Sequence, residues 1–262
     1  MKTFIKKILT QSGIWYHIQF SNWYREFKRP GYRKKLKKLE AFYLSLFPKG
    51  SPRLIFDIGA NIGDYSYVFS RIAAKTVIVE PDATNNQILT ARFGSRKGCT
   101  VLKKAVSSSI GTAEFFMEAE GSTLNTLSNK WVEVLENEDK TRFSGSHQFR
   151  KKVVVETTTL DALIAEFGLP DYIKIDVEGF EKEVVEGLHQ AIPLISFECN
   201  LPEFTEETIW IVAALDRLHS GTTFNFIRDD AFVLPGPVSA REITDIIRSG
   251  KYRFMEIYCM HS

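Results

Sequence analysis

The residues with the clearest chemical potential in this chain are a glycine-bearing turn and a few carboxylates placed at the ends of apolar runs. The turn lies in "LIFDIGANIGDYS", Leu54 to Ser66, where an apolar run ends in Asp57 and where Gly59 and Gly63 bracket Ala60, Asn61 and Ile62. A backbone this bare can come close to a ligand, and the helix that follows aims its free amides at the same point. A dinucleotide would call for G-x-G-x-x-G around its diphosphate. Here the spacing is G-x-x-x-G, and the Asp57 carboxylate would repel a diphosphate. A nicotinamide dehydrogenase is therefore disfavoured, while a cationic group such as an ammonium or sulfonium is suited. Glu80 closes the next apolar run, 17 residues after Gly63. An acid at that place accepts hydrogen bonds from both hydroxyls of a ribose. Ribose plus a cationic amino-acid end, without a diphosphate, describes S-adenosylmethionine.

A second set of carboxylates follows. Asp176 and Glu178 close the run "DYIKIDVEGF", and Glu198 closes "PLISFE". Three acids at neighbouring strand ends could supply a general base for a hydroxyl. They could equally assemble an all-oxygen Mg²⁺ site that acidifies it. The structural alternatives are that Glu178 caps the helix beginning near Phe180 and that Glu198 satisfies backbone amides. Lys174, interior to its strand, reads as the structural partner of one of these acids. Ser122, Thr123 and Asn125 either hydrogen-bond a polyhydroxylated acceptor or form a plain polar loop. His147 lies in the stretch "SGSH", a candidate lid, whereas His189 reads as a surface or packing residue.

These groups need a scaffold, and the apolar patterning supplies one. "RLIFDI", "TVIVE", "TVLKKAV", "DYIKIDVEGF", "PLISFE", "FNFIRDD" and "FMEIYCM" read as strands. Between them, apolar residues recur at helical spacing, as in Tyr65, Val68, Phe69 and Ile72, and in Phe180, Val184, Val185 and Leu188. A capping box runs from Ser239 to Glu242. Alternating strands and helices predict an α/β fold with a doubly wound, mostly parallel sheet, whose ligands bind outside the carboxyl ends of the strands. Residues 112–157 read as an insertion over the site, with an extra strand "GTAEFFME", a polar loop, a charged and poorly periodic stretch from Asn129 to Lys152, and the strand "KVVVETTTL".

The motifs "DIGANIGDYS", "VEP" and "KAVSSSIGTAEFF", and above all "KIDVEGFEKEVVEGL", resemble the FkbM family of S-adenosylmethionine-dependent methyltransferases. The likeness covers about Leu54 to Asn200. It implies the Rossmann-like class I methyltransferase fold with a seven-stranded sheet, and O-methylation of sugar or polyketide-type hydroxyls. It also implies that Asp57, Gly59, Ala60, Asn61 and Gly63 surround the methionine part, that Glu80 and Pro81 hold the ribose, and that Ala105 and Val106 lie near the adenine. The expected activity is O-methylation of a small-molecule or glycan acceptor, in glycan biosynthesis. The alternatives are a polyketide or lipid-like hydroxyl, or a non-catalytic module that binds the methyl donor or a glycan.

Composition limits the rest. At 262 residues the chain can form one domain (50–262) with an N-terminal helical extension (1–49). Cys99, Cys199 and Cys259 are odd in number and widely spaced, which fits reduced thiols in a cytoplasmic setting. The net charge of +2 hides an asymmetry: residues 1–39 carry +10 and the remainder −8. The basic arm is rich in aromatics, Phe4, Trp15, Tyr16, Phe20, Trp23, Tyr24, Phe27 and Tyr32. It reads as a helical cap on the domain or as a peripheral contact with an anionic membrane at its inner face. The acidic body and the lack of a recognition motif argue against nucleic acid. Oligomeric state has no signature here.

Overall fold

The protein is described by a computed structural model covering residues 20–137, 147–228 and 231–261. Phe4, Trp15 and Tyr16 of the basic arm lie outside the described residues. Two helices, α1 (Asn22–Lys28) and α2 (Tyr32–Ser45), lead into β1 (Leu54–Ile58). All five residues of β1 are buried, as a strand covered on both faces requires. There follow α3 (Asp64–Ile72), β2 (Lys75–Val79), α4 (Ala83–Phe93) and β3 (Cys99–Leu102). Later come α6 (Leu160–Phe167), β7 (Tyr172–Ile175), α7 (Glu181–Glu186), β8 (Leu194–Asn200) and α8 (Thr205–Leu218), after an intervening layer holding β4 to β6 and α5. The chain ends in β9 (Thr223–Arg228), β10 (Ala231–Phe232), α9 (Ala240–Arg248) and β11 (Phe254–Met260).

The main sheet has the order β10-β9-β11-β8-β7-β1-β2-β3. The block from β3 to β8 is parallel, whereas β11 pairs antiparallel with both β8 and β9. This is a Rossmann-like α/β sheet, but it is mixed and has eight strands instead of the expected seven. The addition is the two-residue β10, which turns back on β9. From β1 the chain moves outward to β2 and β3, then returns to the other side of β1 as β7. The order therefore reverses at the carboxyl ends of β1 and β7, where such sheets open a crevice.

Two readings of the sequence change. "TVLKKAV" is two strands in two sheets: β3 belongs to the main sheet, while β4 (Ala105–Val106) pairs with β6 (Lys151–Thr158). With β5 (Gly111–Met117) they form a small sheet of order β4-β6-β5. The stretch after Asn129 is also more regular than its charges imply. It holds α5 (Asn129–Glu136), capped by the Ser128 hydroxyl, which accepts from Trp131 N, and anchored by buried Trp131 and Leu135.

The N-terminal helices pack on the sheet. Tyr43 of α2 is fully buried and meets Phe69 edge-on, with ring centroids 4.8 Å apart. On the other side of α2, Arg33, Lys34, Lys35, Lys37 and Lys38 are exposed. Arg25 of α1 pairs with Asp64 at 2.7 Å, so α1 is tied to the helix that follows the glycine turn. Among the described residues, no helix is long and apolar enough to cross a membrane.

Candidate active site

An open cleft of about 700 Å³ lies at the reversal point. Of the residues singled out above, Gly59, Asn61, Glu80, Pro81, Ala105, Val106, Asp176 and Glu178 line it, as do Ser122, Thr123 and Asn125. Its apolar lining comes from Val79, Pro81, Ala105, Val106, Phe115 and Leu127, and its acids are Glu80, Asp176 and Glu178. Phe115 of the small sheet, with Lys104 and Leu127 beside it, escaped the sequence reading, because that sheet was not legible as such.

Three expected ligand residues lie elsewhere. Asp57, only 2% exposed, is absent from the lining, and its carboxylate accepts a hydrogen bond from Ser66 of α3. Ala60 packs with Ile78, Leu89 and Phe93. Gly63 has no cleft wall to form: a Cβ there would meet Leu89 Cδ2 and Phe93 Cε2, each at 2.6 Å. Gly59 does line the cleft, yet its bareness has a packing cause as well. A Cβ on Gly59 would lie 1.7 Å from the backbone oxygen of Asp176, and its φ is +80°. The turn is bare because the end of β7 and helix α4 close on it. The carboxylate that faces the cleft beside this turn is Asp176.

Glu80 spans the mouth of the turn. Its Oε2 accepts from Asn61 N at 2.8 Å and its Oε1 from Asp82 N at 2.9 Å. Asn61 is held at φ +50°, a left-handed conformation seldom found outside glycine. Burial pushes the Glu80 carboxyl up to about 7, despite the two amides that favour its charge. Each of its oxygens retains a lone pair beyond those used by the amides. An acceptor of this kind beside an apolar slot fits a ribose with its attached flat heterocycle, and among the described residues lining the cleft Lys104 is the one cation, too few to receive a diphosphate.

Asp82 ties the cleft's cover to its floor. Its Oδ1 caps α4 by accepting from Thr84 N and Asn85 N, and its Oδ2 accepts from Asn125 Nδ2 at 2.9 Å and Gly121 N at 3.3 Å. The loop carrying Ser122, Thr123 and Asn125 is further closed by paired backbone bonds between Phe116 and Thr126. His147 is not among the lining residues, and exposed His189 pairs with Asp161 at 2.8 Å.

The three candidate catalytic acids have separate fates. Lys174, 1% exposed, places its Nζ 2.7 Å from Asp176 Oδ2 and 3.6 Å from Glu198 Oε1. Burial alone would lower the Lys174 pKa, but Asp176, Glu198 and Glu256 outweigh it and hold the ammonium well above its ordinary value. Glu178, at φ +54°, sits under Thr126, whose hydroxyl donates to its carbonyl at 2.8 Å. Burial, then Asp176 and Glu181, push its carboxyl up to about 8, against a hydrogen bond from Trp131. It does not cap α7. Among the described residues no side chain caps that helix; Glu181 instead braces the loop before it, its Oε1 accepting from Val177 N at 3.1 Å and Gly179 N at 3.3 Å. Glu198 lines a neighbouring basin, not the cleft.

The Mg²⁺ site therefore does not fit these residues. The position between Asp176 and Glu198 is taken by the Lys174 ammonium. Among the described residues, no group of three or more His, Cys, Asp or Glu could hold a metal ion.

Residues 57–254 match the family model of the methyltransferase FkbM domain. No curated protein matches the chain. Among solved structures, it is similar to the plantazolicin methyltransferase BpumL in complex with SAH, at 10% identity, TM-score 0.43, and 99% of each chain covered. It is also similar to the precorrin-6y C5,15-methyltransferase of Geobacter metallireducens GS-15, at 11% identity and TM-score 0.41, covering 85% of this chain and 87% of that one. The N-methyltransferase NodS of Bradyrhizobium japonicum WM9 follows at 8% identity and TM-score 0.39, with 89% and 98% covered. These likenesses are remote, and the fold assignment rests on the strand order and the family match.

Proposed function

The chain belongs to the methyltransferase FkbM family, and on that premise we propose that it moves a methyl group from S-adenosylmethionine to a hydroxyl of a sugar or glycan acceptor. The observation that carries this reading is that Glu80 and Asp176 line one cleft, on either side of the turn from Gly59 to Asn61. In this reading Glu80 accepts from the ribose hydroxyls, and Pro81, Ala105 and Val106 cover the adenine. Bound there, the donor supplies a methyl group already activated by its sulfonium.

What remains for the protein is to align an oxygen and to receive its proton. Asp176 takes that proton; its side chain is 24% exposed and is oriented by the Lys174 bond. Glu178, kept neutral by burial near pH 7, stabilises the loop and does not compete as a base. The exposed basic residues of α2 support a peripheral contact with an anionic membrane. Failure to sediment with anionic liposomes would remove that clause.

The test is incubation with methyl-labelled S-adenosylmethionine and a panel of sugars, glycans, polyketides and lipid-like alcohols. A labelled methyl ether on a sugar supports the proposal. Label only on a polyketide or lipid hydroxyl would move the acceptor class, and label on nitrogen or carbon would refute oxygen as the nucleophile.

A further inference from the structure

A second basin, of about 1120 Å³, opens beyond the cleft at the same edge of the sheet. It lies where β8 and β9 end and β11 begins, and the buried Lys174 side chain stands between its Glu198 and the cleft's Asp176. Lys174 reaches Asp176 in the cleft and Glu198 in the basin from a single ammonium, and Tyr65 of the basin lies under that ammonium at 4.5 Å. Glu198 of the basin and Asp176 of the cleft thus share one ammonium.

The charges in the basin are sorted by depth. Its acids are turned inward: Glu256 accepts from Ser196 Oγ at 2.9 Å and from Tyr258 OH at 3.0 Å, and the Glu198 side chain, 21% exposed, faces Lys174. Its cations, Arg228, Lys251 and Arg253, are exposed at the rim. Two rings line it with them, the partly buried Tyr252, whose ring centroid lies 5.3 Å from Lys251 Nζ, and the 52% exposed Phe254. Such a rim attracts an anion, while the rings suit the apolar face of a sugar ring.

We infer that this basin is the acceptor subsite and that the acceptor is a polyhydroxylated molecule bearing an anionic group, a carboxylate or a phosphate. The rim cations engage the anion, the rings cover the body, and the reacting hydroxyl extends from the basin toward the partly exposed Asp176 side chain. The inference rests on the reading of the neighbouring cleft as the donor site.

The test is a titration of the full chain, saturated with S-adenosylhomocysteine, with D-glucuronate, glucose 1-phosphate and uncharged D-glucose, followed by backbone amide resonances. At least one charged sugar should shift the signals of Lys251 to Phe254, with an affinity about tenfold or more above that of D-glucose. The tighter of the two identifies carboxylate or phosphate as the anion. The variant Lys251→Gln should lose about tenfold of that affinity while keeping its melting temperature and its affinity for S-adenosylhomocysteine. Equal binding of charged and neutral sugars, or no shift at Lys251 to Phe254 in protein that holds S-adenosylhomocysteine, would overturn the inference. Failure of S-adenosylhomocysteine itself to bind would overturn the donor reading, and the subsite with it.

Discussion

Lys174 donates to Asp176 across 2.7 Å at the carboxyl end of β7, from a side chain that water hardly reaches. The two residues are two apart in sequence, so both project from the same side of the chain's extended path. The bond fixes the direction of the acid that faces the cleft, and it places a cation among Asp176, Glu198 and Glu256.

Replacing that cation should be costly. Lys174→Met leaves buried Glu256 and the partly exposed Asp176 and Glu198 without their common partner, a loss of up to about 3–5 kcal/mol in unfolding free energy. Urea denaturation reads it directly. A variant as stable as the wild type would mean that the ammonium is not what holds these acids together.

Asp176→Asn separates chemistry from binding. The amide keeps an oxygen acceptor for Lys174 but cannot take up a proton at neutral pH. Turnover on any hydroxyl acceptor should fall by about 10²–10⁴-fold, with S-adenosylhomocysteine affinity nearly unchanged. If instead Glu198→Gln removes turnover and Asp176→Asn does not, the base has been misassigned.

The two glycines should differ when each is changed to alanine. At Gly59 the new Cβ would collide with the Asp176 backbone oxygen, which cannot swing away, so a loss of more than about 3 kcal/mol is expected. At Gly63 the obstacles are the side chains of Leu89 and Phe93, and the loss should be about 1–3 kcal/mol. Comparable melting temperatures for the two variants would contradict this ranking.

Stability should fall as pH rises. Burial raises Asp57 to about 6, Glu80 and Glu181 to about 7 and Glu178 to about 8. The unfolded chain has released these protons by about pH 5, so between there and about pH 8 the native state binds more of them. The stabilisation is complete below the unfolded values and is lost through the folded ones. Melting temperatures should therefore decline across this window, with a shallower slope in Glu178→Gln. A rising profile would reverse the sign of the whole argument.

The positions of the main-sheet strands along the chain were largely legible, because "LIFDI" and "YIKI" are mostly apolar runs that only a sheet covered on both faces can bury. Residues lining the cleft were legible where the backbone itself sets the wall, as at Glu80, Pro81 and Asp176. The reason for the glycines was not. The atom that excludes a side chain at Gly59 belongs to a residue more than a hundred positions later, and no local pattern announces it. Glu181 was missed for a similar reason: its first-turn position looks like a dipole complement, whereas it binds the two amides that shape the loop before it. The division of "TVLKKAV" between two sheets depends on β6, some fifty residues away.

The measurement that bears most directly on the account is calorimetric titration of S-adenosylhomocysteine into the wild type and into Glu80→Gln, with both shown to be folded by their melting curves. The wild type should bind, and the variant should bind about tenfold to a hundredfold more weakly, as the loss of charge-assisted hydrogen bonds to the ribose would produce. No binding by folded wild type, or equal binding by the two proteins, would contradict the assignment of Glu80 and of the cleft it lines.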